Sequence, residues 1–332
     1  MPLTTLREVT LRDGSALSIK LGLRGLSEIQ PALAQLLAPS GFPDLDIVYR
    51  ILTQSEDDGS IQRHFFGFRD GRLAAFLKYD ASRRVPCVCS FGYVFTAENA
   101  RKLGIAENMC RVAVDDFAKL GGRALFLSGG EPASDVYLRV GFRPFNGHIM
   151  RCVIGDEKAF GEFYFAGRPV AGIRKLAWAD WAMAAVLYGQ PTNIHIRDYG
   201  IKLYSGPGQE IIRFQSVVPL LMRPQEAGAG LSKVAEDAAG HLVGIANLRQ
   251  LEPGRALLDL HVHPTSRACA GTLLKEMLST ARQMGWGGVS AKAARADEEK
   301  LKVFQEAGGR IVSEAVENTG GERTEAVVEL RF

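Results

Sequence analysis

The sequence predicts an α/β protein built as two tandem copies of one fold, and three observations carry that prediction. A strand-like run, Phe91-Gly92-Tyr93-Val94-Phe95-Thr96, feeds a short loop and then a helix-like run in which Met109, Cys110, Ala113, Val114, Phe117 and Leu120 recur at helical spacing. The same succession returns between Ala256 and Met284. The length of 332 residues is long for one domain and natural for two.

In chain order, Leu6 to Gly22 reads as the first strand region and Gly25 to Leu37 as a helix rich in Leu and Ala. Asp57-Asp58-Gly59 is a turn, and Phe65 to Leu77 reads as a hairpin turning at Asp70-Gly71. After the first long helix, Ala124-Leu125-Phe126-Leu127-Ser128 is strand-like, and Tyr137-Leu138-Arg139-Val140-Gly141-Phe142 follows. The copies meet near Met150 to Gly172, which sets domains of residues 1–155 and 156–332. Ile173 to Tyr188 opens the second copy as strand plus helix, and Ala239-Gly240 turns a second hairpin. Gly189 to Gly230, rich in Gly and Pro, is the least regular segment, either an insertion or a long connector. Ala256 to Pro264 reads as a strand stopped by proline, and Leu273, Leu274, Met277, Leu278, Ala281 and Met284 mark a helix face. Gly285 to Gly288 end that helix, Val289-Ser290-Ala291 is the next strand, and Asp297-Glu298-Glu299-Lys300 is the dipole-matched first turn of another helix.

Composition excludes several classes. Hydrophobic content of 46% and charged content of 23% suit a soluble globular protein with a sizeable core. A formal charge of +3 without a basic block argues against nucleic acid as partner. No apolar run reaches membrane-spanning length and no secretion signal opens the chain, so no membrane partner and a cytoplasmic location are expected. Cys87, Cys89, Cys110, Cys152 and Cys269 form no Cys-x-x-Cys pair, and buried free thiols with no metal are the expectation.

Arg101-Lys102-Leu103-Gly104-Ile105-Ala106, between strand and helix, has the makings of an anion site. Loop and first-turn N–H groups point outward at the positive end of the helix dipole. Gly104 and Ala106 keep side chains clear of a phosphate, while Arg101 and Lys102 add charge. Gly-x-Gly-x-x-Gly after a strand, Gly-x-x-x-x-Gly-Lys-Ser/Thr, Gly-x-Ser-x-Gly and His-Glu-x-x-His are all absent, which argues against dinucleotide, P-loop, serine-hydrolase and zincin readings.

Arg101-x-x-Gly104-x-Ala106, followed at the right spacing by helix, strand and Tyr137-x-x-x-Gly141-Phe142, resembles the Gcn5-related N-acetyltransferase (GNAT) superfamily. The resemblance implies two GNAT-like domains, each a twisted mixed β-sheet flanked by helices (α+β in character). It implies acetyl-CoA as co-substrate, with its pyrophosphate on the main-chain N–H groups of Leu103, Gly104, Ile105 and Ala106, assisted by Arg101 and Lys102. The pantetheine arm would lie along Val94, Phe95 and Thr96 in a gap between splayed strands, where one strand N–H could serve as oxyanion donor. Tyr137 matches the tyrosine that protonates the departing thiolate. The implied reaction is acetyl transfer to a primary amine, by direct attack in a ternary complex. The alternatives are an acyl-CoA-binding scaffold, or an acyltransferase with a longer acyl donor or a hydroxyl acceptor.

The general base is poorly determined. Glu131 lies just after the strand on the expected acceptor side, although Glu131-Pro132 also suits a helix start. His261 and His263 share a strand face and could titrate near neutrality, but lack a third partner for zinc. A water chain is a further route for the proton. The acceptor, a small-molecule or peptide amine, is not readable, and a homodimer stays open.

The second copy departs from the first where chemistry would sit. Arg267 answers to Arg101 and Phe304 to Tyr137, with separations of 37 and 36 residues. Gly104 and Ala106 become Ala270 and Thr272, and the phenol of Tyr137 becomes a bare ring. The first copy is therefore expected to be the working one.

Overall fold

The computed structural model describes residues 3–42, 44–54, 58–129, 134–204, 214–319 and 324–332. The chain divides into two units, Met1–Phe145 with Ile149–Glu157, and Asn146–His148 with Lys158–Phe332. The sequence-based boundary at residue 155 lies two residues from the main division.

The first unit starts with a hairpin of β1 (Thr4–Thr10) and β2 (Ala16–Gly22). Helix α1 covers Gln30–Leu37, five residues later than the sequence suggested. Gly25 takes a left-handed φ of 71°, and Pro31 is tolerated only in a first turn, so the helix cannot begin earlier without losing bonds. Helix α2 (Leu45–Thr53) was not anticipated; its Ile47, Val48, Ile51 and Leu52 form one buried face. The hairpin of β3 (Ser60–Arg69) and β4 (Arg72–Ser82) turns at Asp70 and Gly71, both left-handed at φ 47° and 80°, as an Asp-Gly turn requires. Then follow β5 (Val88–Thr96), α3 (Ile105–Lys119), β6 (Ala124–Ser128), α4 (Ser134–Arg139), β7 (Arg143–Asn146) and β8 (Ile149–Val153).

The strands order as β1-β2-β3-β4-β5-β6-β8-β7. The β5–β6 pair is parallel, and α3 is its crossover. Strand alternation sends successive side chains to opposite faces. Phe65 packs with Met109, Cys110 and Phe117 of α3, while neighbouring Phe66 packs with Leu33 of α1 and Val48 of α2. Each such buried phenylalanine stabilises the sheet by about 2–3 kcal/mol.

The second unit contains α5 (Glu157–Tyr164), β9 (Val170–Lys175), α6 (Trp181–Tyr188), β10 (Ile196–Asp198), β11 (Leu203–Tyr204), α7 (Val217–Glu226), β12 (Gly230–Asp237) and β13 (Leu242–Glu252). It continues with β14 (Arg255–Val262), α8 (Ala270–Gln283), β15 (Gly288–Ala294), α9 (Glu298–Glu306), β16 (Arg310–Asn318) and β17 (Thr324–Arg331). Its sheet orders as β16-β17-β15-β14-β13-β12-β9, with β14–β15 parallel. From β9 onward, setting aside β10 and β11, every element has a counterpart in the run β2 to β8, in the same order and pairing. The duplication is therefore one of topology. The difference is instructive: β10 and β11 form a small hairpin between α6 and α7, inside the segment that looked least regular. The described parts of that segment are ordered insertion rather than bare connector.

Around the hairpin, fully buried Asp198 accepts from the Tyr188 hydroxyl (2.9 Å), the Asn247 amide (2.6 Å) and the Ile201 N–H (3.1 Å). Burial first, and then the charge of Asp259, raise its pKa from 3.8 to about 7. A carboxyl raised on folding lends stability that is full below pH ~4 and is lost as pH rises through 7. Wild-type denaturant midpoints should fall between pH 4 and 7, and Asp198→Asn should flatten that slope. Equal slopes would show that Asp198 is ionised throughout.

Candidate active site in the first unit

Strands β5 and β6 pair from Val88↔Ala124 to Ser90↔Phe126 and no further, although β5 runs on to Thr96. A fork opens beyond that point. On its other edge β5 carries a bulge: Phe76 pairs with Phe95 and Lys78 with Gly92, so Leu77 alone faces both Tyr93 and Val94. Tyr93 sits at φ 55°, an uncommon left-handed position for a bulky residue. It is held by an edge contact to Phe42 (5.4 Å) and by the Lys78 ammonium 5.4 Å from its ring. The bulge re-aims the strand end, and Val94, Phe95 and Thr96 line a cavity of about 660 Å³.

The loop after β5 opens on the same cavity. A 3-10 turn covers Glu98–Ala100; Lys102 (φ 66°) and Gly104 (φ 89°) are then left-handed, and Gly104 caps α3. The first helical bond runs from the Asn108 N–H to the Gly104 carbonyl. Among the described residues, the N–H groups from Lys102 to Glu107 have no acceptor. Six unbonded donors at the positive end of a helix make a ready anion cradle. Leu103 packs against the core and Ile105 is buried, so these two anchor the loop while Gly104 and Ala106 stand in the cavity wall.

Gly104 is needed for its conformation more than for clearance. A Cβ there would find nothing nearer than Asn108 Nδ2 at 3.7 Å, but φ 89° strains any other residue. Arg101 is tied to the end of β5 as well. It lines the cavity, yet its Nε–H donates to the Thr96 carbonyl (3.2 Å) and its guanidinium lies 6.0 Å from the Phe95 ring, so it closes the loop onto the strand end. A second cation, Arg12, was missed. It comes from the β1–β2 turn, and its Nε lies 3.9 Å from where a Cβ on Gly104 would sit. No motif could reveal it, because 92 residues separate it from Gly104.

Tyr137 stands in the opposite wall on α4, 6% exposed, with Phe142 edge-on at 5.9 Å. Its hydroxyl has no hydrogen-bond partner among the described residues. Burial first, then the nearby Cys110, push its pKa well above the usual value, so it keeps its proton. Glu107, in the same wall, is clasped by Arg139 (2.8 Å) and Arg111 (3.0 Å), which hold its carboxyl below the ordinary range. Near the fork, Asp80 accepts from Lys78 Nζ with both oxygens at 2.6 Å and is no free base. Glu131 lies outside the described residues.

The histidines of the second unit correct an expectation. Burial first, then Arg197 and Lys300, drive the pKa of His261 well down; burial and Arg267 bring His263 to about 4. Neither titrates near neutrality. His263 instead caps the following 3-10 turn by accepting from the Thr265 N–H, and its ring stacks on Phe165 at 3.8 Å. Cys87, Cys89, Cys110, Cys152 and Cys269 are buried free thiols. Among the described residues no group of three or more His, Cys, Asp or Glu side chains could hold a metal ion, and no helix is long and apolar enough to cross a membrane.

Residues 31–142 match the profile described as "Acetyltransferase (GNAT) family". The first unit therefore carries a GNAT acetyltransferase domain over these residues. Its activity is accordingly that of an acetyl-CoA-dependent N-acetyltransferase, and the fork, loop and Tyr137 all fall inside or beside the matched span. No curated protein sequence matches the chain. Similar solved structures include a chimera of spermidine N-acetyltransferase from Vibrio cholerae and hSSAT (17% identity, TM-score 0.40, 48% of this chain and 93% of that one). Others are the Vibrio cholerae enzyme in complex with CoA and spermine (18%, TM-score 0.38, 48% and 94%) and its dodecameric structure in an intermediate state (18%, TM-score 0.38, 48% and 92%).

Proposed function

We propose that the GNAT domain of the first unit moves the acetyl group of acetyl-CoA directly to a primary amine within a ternary complex. The observation that carries this reading is the convergence of the unbonded N–H groups from Lys102 to Glu107, the strand end Val94 to Thr96 and the Tyr137 hydroxyl on one cavity. The pyrophosphate sits on the loop and first-turn N–H groups, Leu103, Gly104, Ile105 and Ala106 among them. The acyl arm follows Val94, Phe95 and Thr96 into the fork. There the amine nitrogen attacks the thioester carbon, and its oxygen takes charge beside the strand N–H groups. The C–S bond then breaks, and Tyr137 gives its proton to the leaving sulfur. The proton lost by the amine leaves through water or Glu131, and Tyr137 is reprotonated from solvent.

A phenol whose pKa is raised is a weak acid at rest. It transfers its proton only because the departing thiolate is itself desolvated in the cavity and more basic than in water.

Release of CoA thiol from acetyl-CoA, measured with a panel of primary amines, tests the reading. Thiol release that depends on one class of amine supports it. Tight CoA binding without amine-dependent release would make the protein an acyl-CoA-binding scaffold instead.

Arg12 is assigned to the phosphates. Arg12→Ala should raise the KM for acetyl-CoA about fivefold with kcat unchanged. S-acetylpantetheine, which lacks the phosphates, should be used equally by both proteins. An equal loss with that donor would remove Arg12 from phosphate recognition.

A further inference from the structure

The second unit has the same fork as the first, since β14 and β15 part after Leu258↔Ala291 while β14 continues to Val262. It too opens on a cavity, of about 480 Å³, a size that suits a small molecule. In its wall Leu260, His261 and Val262 answer to Val94, Phe95 and Thr96, and Arg267, Ala268 and Ala270 answer to Arg101, Lys102 and Gly104. The slot is open, but its charge is arranged differently.

The fork end is cationic. Lys300 of α9 and Arg197 of β10 stand in the wall, 9% and 5% exposed, and Arg197 comes from the insertion that the first unit lacks. The Lys300 ammonium bonds one oxygen of Asp259 (2.5 Å), and that carboxylate also serves the N–H groups of Leu260 (2.7 Å) and Tyr199 (2.5 Å). An ammonium carries three donors, so Lys300 keeps donors to spare among the described residues. The Arg197 guanidinium bonds the uncharged carbonyl of Gln190, and burial brings its pKa down to about 10. His261 lies within the field of both cations: burial first, then Arg197 and Lys300, keep it neutral, and its ring stacks on Tyr188 at 4.5 Å. Buried cations are costly, and an anion that accepts from both offsets that cost through charge-assisted hydrogen bonds.

The rest of the cavity does not compete for such an anion. The acids of the wall are engaged: Glu299 pairs with Arg267 (2.5 Å), Glu306 lies 3.9 Å from Lys302, and Asp297 caps α9 by accepting from the main-chain N–H of Lys300 (3.1 Å). At the start of α8 no residue from His263 to Thr272 is left-handed. The amides of Thr265, Ser266 and Ala270 donate locally, to the His263 ring, the His263 carbonyl and the Arg267 carbonyl. The preference for an anion therefore lies at the fork rather than at the helix start. Between the two ends the walls are apolar, with Leu187, Ile194, Ile196 and Val303.

We propose that the cavity of the second unit binds a small organic carboxylate, its carboxylate group held by Arg197 and Lys300 at the fork and its apolar body lying along Leu187, Ile196 and Val262. The site does not depend on the donor reading of the first unit.

Calorimetry and amide hydrogen exchange of the full-length chain with butyrate, hexanoate and octanoate test it. At least one of these acids should bind with a stoichiometry of one and slow exchange in residues 187–197 and 258–270. Its uncharged amide should bind at least about tenfold more weakly, and Arg197→Gln should weaken the acid by a similar factor. Ala268→Trp, at an exposed position on the mouth where folding is not at stake, should abolish binding. Equal affinity for acid and amide, or no binding by any of the three acids, would overturn the proposal. So would slowing confined to residues 94–107, which would place the acid in the first unit. Slowing of 258–270 by acetyl-CoA but by none of the acids would make the cavity a second acyl-CoA slot and equally overturn it.

Discussion

Gly104→Trp is expected to weaken acetyl-CoA binding at least about a hundredfold, ~3 kcal/mol, while the first unit stays folded. Two effects add. The left-handed φ of 89° costs a side-chain-bearing residue ~1 kcal/mol, which tends to rotate the amides of the loop out of convergence. The indole then stands in the wall that a pyrophosphate must approach. A Cβ at this position meets nothing nearer than 3.7 Å, so the first carbon of the new side chain adds no clash. Gly104→Ala separates the two effects: it keeps the strain without the bulk and should lose less than about tenfold. Calorimetric Kd values for the three proteins check this, and an unaltered Kd in Gly104→Trp would move the donor site elsewhere.

Tyr137→Phe is expected to lower kcat about a hundredfold and leave the Kd for CoA within a factor of two. Phenylalanine preserves the packing against Phe142, and the hydroxyl it removes bonds no described residue, so stability should change little. The pH profile adds a second readout. With the phenol pushed well above its usual pKa, Tyr137 stays protonated through the assay range, and wild-type kcat should show no alkaline fall from this residue up to pH ~10. Thiol release by the two proteins, followed from pH 6 to 10, decides the matter. Equal rates across that range would remove Tyr137 from the mechanism.

The conformation of the loop between β5 and α3 was legible in the sequence because its physics is local. A strand, a glycine at the helix start and a run of main-chain donors lie within fifteen residues, and turn and capping preferences act over that distance. Helix and strand periods likewise exposed the repeat, since Arg101 to Tyr137 and Arg267 to Phe304 keep nearly the same length. Helix α2 escaped because its buried face is short, and the start of α1 slid because Gly25 and Pro31 act on single bonds rather than on a period. The neutral state of His261 and His263 could not be seen either: burial and the cations Arg197, Lys300 and Arg267 come from other elements.

By itself the sequence determined the mixed α/β fold of the two units and the glycine-capped loop between β5 and α3. Only the tertiary structure decided that Arg12 reaches that loop, that Arg101 turns back to Thr96, and that Asp259 meets Lys300 and Tyr199 in the second fork. The reason is one of range: hydrogen-bonded turns and helix starts are settled among neighbours, whereas a charge finds its partner only after sheet order and crossover have brought distant segments together.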